Sequence, residues 1–180
     1  MQKLESIAER IRQDFDARTA TRDKALATAR QLTRACSLAI RAAHRLETDG
    51  GMAGQLAEAR SLADALRASL AAYPDLYYAG YTQDALKEFV EANVTCALIQ
   101  QQPLPTPEEL GVIGSTYLNG LAEVVGELRR RTLDILRHGY SNEAERLLTT
   151  MDDIYDVLVT IDYPDAITNG LRRQTDLARG

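Results

Sequence analysis

Four glutamates on two apolar stretches are the residues of this chain best placed to do chemistry. Tyr117–Arg131, YLNGLAEVVGELRRR, carries Glu123 and Glu127 one helical turn apart among Leu118, Leu121, Val124, Val125 and Leu128. Lys87–Glu91, KEFVE, carries Glu88 and Glu91 at i and i+3 in similarly apolar surroundings. Carboxylates that share a helix face repel one another unless something positive compensates. Two such helices packed face to face would gather four carboxylates. A hard divalent cation with oxygen ligands, Mg²⁺ or Mn²⁺, relieves that repulsion best. Held in this way, such an ion can orient a phosphodiester, activate water and stabilise the leaving oxygen. The Glu-x-x-His pairs of di-iron bundles are absent, because neither His44 nor His138 has a glutamate three residues before it. Metal-assisted phosphodiester cleavage is therefore favoured over oxygen chemistry. Spacing alone leaves a second reading open, in which Glu88 pairs with Lys87 or a neighbouring helix and Glu127 with Arg130 or Arg131.

Arginines supply a complementary feature. Arg30, Arg34, Arg41 and Arg45 are spaced to form a stripe down one helix face, suited to bidentate contacts with a nucleic-acid backbone or equally to a solvated surface. Arg129, Arg130 and Arg131 follow the second glutamate pair and could balance it, or could serve the end of their helix. Asp152, Asp153 and Asp156 read as a helix face or subunit contact rather than as a second metal site. His44 and His138 carry little signal of their own. No Walker-type loop, GxGxxG, nucleophile elbow or zinc signature occurs.

The elements that must position these groups are helices. Apolar residues recur at three and four through Met1–Arg12, Arg22–Glu47, Met52–Ala72 and Thr82–Gln101, with a break or continuation near Thr19–Thr21. Asp49-Gly50-Gly51 and the prolines at 103, 105 and 107 punctuate them. Thr106-Pro107-Glu108-Glu109 is a helix start, with Thr as N-cap, Pro at N1 and Glu at N3. That helix is expected to run to Arg137, with local adjustment at Gly111 and Gly114. Asn142–Ile161 and Asp165–Ala178 complete an all-α bundle in one domain over 1–180. The 180 residues, 45% hydrophobic with 2 Phe and no Trp, can bury an aliphatic core. The net charge of −5 does not suggest a general polyanion binder, but it leaves room for a local basic surface. Cys36 and Cys96 have no metal-ligand spacing and read as reduced core thiols. No signal peptide, lipidation signal or membrane span is visible, which points to a cytoplasmic protein without membrane contact.

In their order and spacing, four segments resemble the translin/TRAX family, and within it the TRAX-like nuclease branch. They are DKALATARQLTRACSLAIRAAHR, LKEFVEA, YLNGLAEVVGELRRR and the closing IYDVLVTIDYPDAITNGLRRQTDLAR. The resemblance implies an all-α fold of about seven helices and a homo-oligomeric, octameric shell. It also implies a Mg²⁺-dependent endoribonuclease acting on single-stranded RNA, with single-stranded DNA as a second ligand class. On this basis Glu88, Glu91, Glu123 and Glu127 form the catalytic metal set, with Mg²⁺ or Mn²⁺ as cofactor. Arg30, Arg34, Arg41, Arg45 and Arg130 would meet the nucleic acid. Position 123 carries Glu where the family pattern has Asp, which keeps the charge but lengthens the reach by a methylene. The alternative within the family is a non-catalytic, translin-like binder of single-stranded RNA or DNA, in which apolar or basic replacements at 88, 91 and 123 would be expected. All three are acidic here.

Overall fold

The first helix is unusually long because nothing in residues 2–45 breaks it: this stretch contains neither proline nor glycine. In the computed structural model, which describes residues 1–45 and 50–179, α1 is continuous over Gln2–Arg45, about 66 Å at 1.5 Å per residue. The break considered near Thr19–Thr21 does not occur. Thr21 Oγ1 instead bonds back to the Ala17 carbonyl within the helix. Leu46, Glu47 and Asp49, which the sequence assigns to the helix end and its stop, lie outside the described residues.

The remaining helices are α2 (Gly51–Leu70), α3 (Pro74–Tyr77), α4 (Gly80–Ile99), α5 (Pro107–Leu110), α6 (Gly114–Leu136), α7 (Asn142–Val159), α8 (Asp165–Thr168) and α9 (Leu171–Arg179). Among the described residues there are nine helices and no strand, and three of the helices are single turns. The single turns arise from identifiable stops. Thr106 and Glu109 form the expected capping box, but Gly111 turns left-handed at φ +65° and ends α5 after four residues. The continuous helix expected from Thr106 to Arg137 is therefore two. Asn169 and Gly170, both at positive φ, likewise divide the expected Asp165–Ala178 helix into α8 and α9.

The C-terminal half of α1 packs against α2 and α4, α4 packs against α6, and α6 packs against α7 and α9. Leu32, Leu66, Leu86, Phe89, Val90, Leu128 and Leu147 are all fully buried in one continuous core. Each side chain of this size contributes about 1.5–3 kcal/mol through burial. Cys36 and Cys96 are free and buried, as expected. No residue before Ala25 is buried, so the N-terminal half of α1 projects from the bundle.

Candidate metal centre

The centre sits where α4 crosses α6, and a glycine sets how closely they approach. A Cβ on Gly120 would lie 2.7 Å from Val90 Cβ and 2.9 Å from the Lys87 carbonyl oxygen. This close approach brings the turn bearing Lys87, Glu88 and Glu91 against Glu123. Buried polar bonds fix the register. Thr116 Oγ1 donates to Gln83 Oε1 at 2.6 Å, and Asn119 Nδ2 donates to the Thr168 carbonyl at 2.8 Å.

Glu88, Glu91 and Glu123 each present a carboxylate oxygen, and these atoms lie within 4.8 Å of one another. Glu91 is 9% exposed. Burial first, then the charges of Glu88, Glu123 and Glu127, push its carboxyl up to about 8. Glu88 is also raised, by burial and then by Glu123. Three carboxylate oxygens crowded together, two of them on carboxyls whose proton affinity is raised, suit a hard cation, which replaces the proton and cancels the repulsion. The three carboxylates could hold a metal ion, and their donor chemistry favours Mg²⁺ or Mn²⁺ over softer metals.

The expected fourth member stands apart. Glu127 is not part of the converging group among the described residues. His44 Nε2 lies 2.5 Å from its Oε2, and Arg130 lies at 3.8 Å. The hydrogen bond from His44 holds the Glu127 carboxyl below its ordinary range despite partial burial. Its charge still reaches Glu88 and Glu91, so it bounds the centre without entering it. His44, which carried almost no signal in the sequence, is thus the partner that takes Glu127 away.

A cation already occupies the edge of the group. Lys87 Nζ donates to Glu123 Oε1 at 2.6 Å, and Gln174 Nε2 of α9 reaches the same oxygen at 3.5 Å. Burial lowers the Lys87 ammonium, but the bond to Glu123 and the surrounding carboxylates leave it raised on balance. Spacing alone left open a pairing of Glu88 with its neighbour Lys87 or with another helix. The structure pairs Lys87 across the helix crossing, and no local spacing could have shown that.

The three consecutive arginines diverge. Arg129 donates to the Ala178 carbonyl and holds α9. Arg130 is exposed. Arg131 is buried and joins the His44 carbonyl to Glu143. On α1, Arg30, Arg34, Arg41 and Arg45 are all exposed. Arg30 lines a groove of about 450 Å³ between α1 and α4, together with Tyr81, Asp84 and Glu88, so the stripe reaches the carboxylate centre at this end. Arg41 and Arg45 line a separate cavity of about 230 Å³ beside Gly51 and Gln55. Asp152, Asp153 and Asp156 are exposed on α7 and are not among the converging carboxylates, and exposed His138 lies at the α6 terminus, bonded to the Asp134 carbonyl.

Fold and site together define an all-helical protein with a cluster of three carboxylates between two central helices that could hold a cation. No family model matches the chain. It is 34% identical over 160 residues to the uncharacterised protein MJ0175 of Methanocaldococcus jannaschii, covering 88% of this chain and 70% of that one. Among solved structures, AfC3PO superposes with a TM-score of 0.87 at 32% identity, covering 96% of this chain and 89% of that one. AfC3PO in complex with duplex RNA gives the same score and identity. Apo NeC3PO, at 22% identity and a TM-score of 0.84, shares the fold. The chain belongs to the C3PO family of translin/TRAX type.

Proposed function

We propose that this protein is a TRAX-like, divalent-cation-dependent endoribonuclease that cleaves single-stranded RNA, with single-stranded DNA as a further ligand. The observation that carries the reading is the convergence of Glu88, Glu91 and Glu123. These side chains would hold Mg²⁺ or Mn²⁺, which supplies a Lewis acid for a phosphodiester oxygen and for water. Glu127, held by His44, shapes the field around the centre without acting as a ligand. Arg30, beside Glu88 in the α1–α4 groove, would hold the backbone next to the scissile phosphate, and Arg34, Arg41, Arg45 and Arg130 would guide the strand leading to it. The duplex in the AfC3PO complex supports RNA as the ligand class. Cleavage is assigned to single strands, whose flexible backbone can reach an in-line geometry at a recessed centre.

The assembly is a homo-oligomer, an octamer by family likeness. Leu4, Ile7, Ile11 and Phe15 are between 36% and 65% exposed along one face of the projecting half of α1, which needs a partner outside its own chain. No helix of the described residues is long and apolar enough to cross a membrane. Free, buried Cys36 and Cys96 fit a reducing cytoplasm.

A second reading has one observation in its favour. Lys87 already neutralises part of the centre, as a non-catalytic RNA-binding subunit would require. A single assay separates the two: labelled single-stranded RNA incubated with Mg²⁺, Mn²⁺ or EDTA, using wild-type protein and the E88A/E91A/E123A variant. The nuclease reading expects cleavage that needs the metal and is lost in the variant while the assembly stays intact. Binding that survives EDTA with no cleavage under any condition would establish the second reading.

A further inference from the structure

We propose that Lys87 is a resident counter-ion that competes with the divalent cation for Glu123 and thereby sets the metal concentration at which the centre fills. The inference rests on reading the three carboxylates as a cation site. Its observation is separate: an ammonium 2.6 Å from Glu123 Oε1, one residue before Glu88, with both partners largely withdrawn from water at 19% and 25% exposure. Two cations cannot share one face of a carboxylate at such range without strong repulsion in a medium less polarisable than water. Metal entry therefore requires the lysine to leave Glu123, or requires Glu123 to turn away from it. Until that happens, Lys87 compensates the repulsion among the three glutamates and keeps the metal-free centre assembled. Gln174, at 3.5 Å from the same oxygen, is neutral and placed to retain Glu123 when the ammonium departs. A lysine suits this exchange because its flexible stem can swing a point charge aside without disturbing the helix. Lys87 is thus a positioning residue that acts through Glu123.

The test is Mn²⁺ binding to RNA-free protein, followed by electron paramagnetic resonance, for wild type, K87M, K87Q and K87R. Thermal melts of each confirm folding. With the competitor removed and the site more negative, K87M and K87Q should bind Mn²⁺ about tenfold more tightly, the scale of a partly buried ion pair. K87R, which keeps the charge, should stay close to wild type. If wild type binds Mn²⁺ and both neutral variants bind it equally or more weakly, Lys87 is a structural clamp; the competition proposal falls and the metal reading stands. If no protein binds Mn²⁺ more tightly than the E88A/E91A/E123A variant does, both fall together. Wild-type crystals soaked in Mn²⁺ give a check that does not depend on the variants folding. The Lys87–Glu123 contact should open beyond hydrogen-bonding distance, and its persistence beside a bound ion would overturn the proposal.

Discussion

Glu91 is the side chain whose surroundings most constrain the chemistry. Its carboxyl rises from an ordinary 4.5 to about 8 because burial and three neighbouring carboxylates all oppose its charge. A carboxyl with a raised native value binds more protons in the folded than in the unfolded state between those limits, so its linkage lowers stability as pH rises across that window. Metal-free protein should therefore melt at progressively lower temperature from about pH 5 to pH 8, and E91Q should flatten much of that slope. A divalent cation must displace the same proton. Mn²⁺ should accordingly raise the melting temperature more at pH 8 than at pH 6, measurable by scanning calorimetry with and without metal. Glu127 contributes in the opposite sense. Held low by His44, it stabilises the fold above its unfolded value, and that contribution fades as pH falls through its native one. The two carboxylates lie on opposite sides of one problem: one is raised for lack of a partner, the other lowered by having one.

At the scale of elements, the centre depends on how closely α4 and α6 approach, and two glycines of α6 test this separately. Gly120 faces Val90 and the Lys87 backbone with no room for a methyl group, whereas Gly126 has open space around its Cβ position. G120A should destabilise the protein by about 1–3 kcal/mol, because the helices must separate to relieve the clash. Mn²⁺ affinity should fall with it, since Glu123 moves away from Glu88 and Glu91. G126A should instead stabilise by about 0.5–1 kcal/mol through helix propensity and leave Mn²⁺ binding unchanged. Urea titration alongside Mn²⁺ binding reads both effects. Equal metal affinity in G120A and wild type would show that the centre does not depend on this crossing.

Across the whole molecule, the projecting half of α1 contrasts with the rest. A helical arm of this length has little stability in water by itself, and Leu4, Ile7, Ile11 and Phe15 form an apolar stripe that its own chain does not cover. Replacing Ile7, Ile11 and Phe15 together by Ser should reduce the oligomer to smaller species in light scattering coupled to size-exclusion chromatography. The bundle from Ala25 onward, with its core intact, should keep its cooperative melt. An unchanged mass would place the subunit contacts elsewhere. Arg30, Arg34, Arg41 and Arg45 stand on the bundle half of the same helix, so under the proposed function assembly and RNA guidance would be coupled through one continuous rod.

By itself, the sequence determined the features that depend on neighbours along the chain. Helical periodicity, the Thr106–Glu109 capping box, the two apolar stretches bearing glutamate pairs and the buried free cysteines are all local, and each is found in the structure. Tertiary structure alone decided which charges meet. Glu127 shares a face with Glu123 in the sequence, yet it is drawn off by His44, 83 residues away, while Lys87 passes over adjacent Glu88 for Glu123, 36 residues away. Such pairings follow from crossing geometry, here set by Gly120 against Val90, and a helical repeat carries no information about them. The reduction from four expected carboxylates to three converging ones is therefore a property of packing. A carboxylate's partner depends on distance in space, and spacing along one helix leaves that distance open.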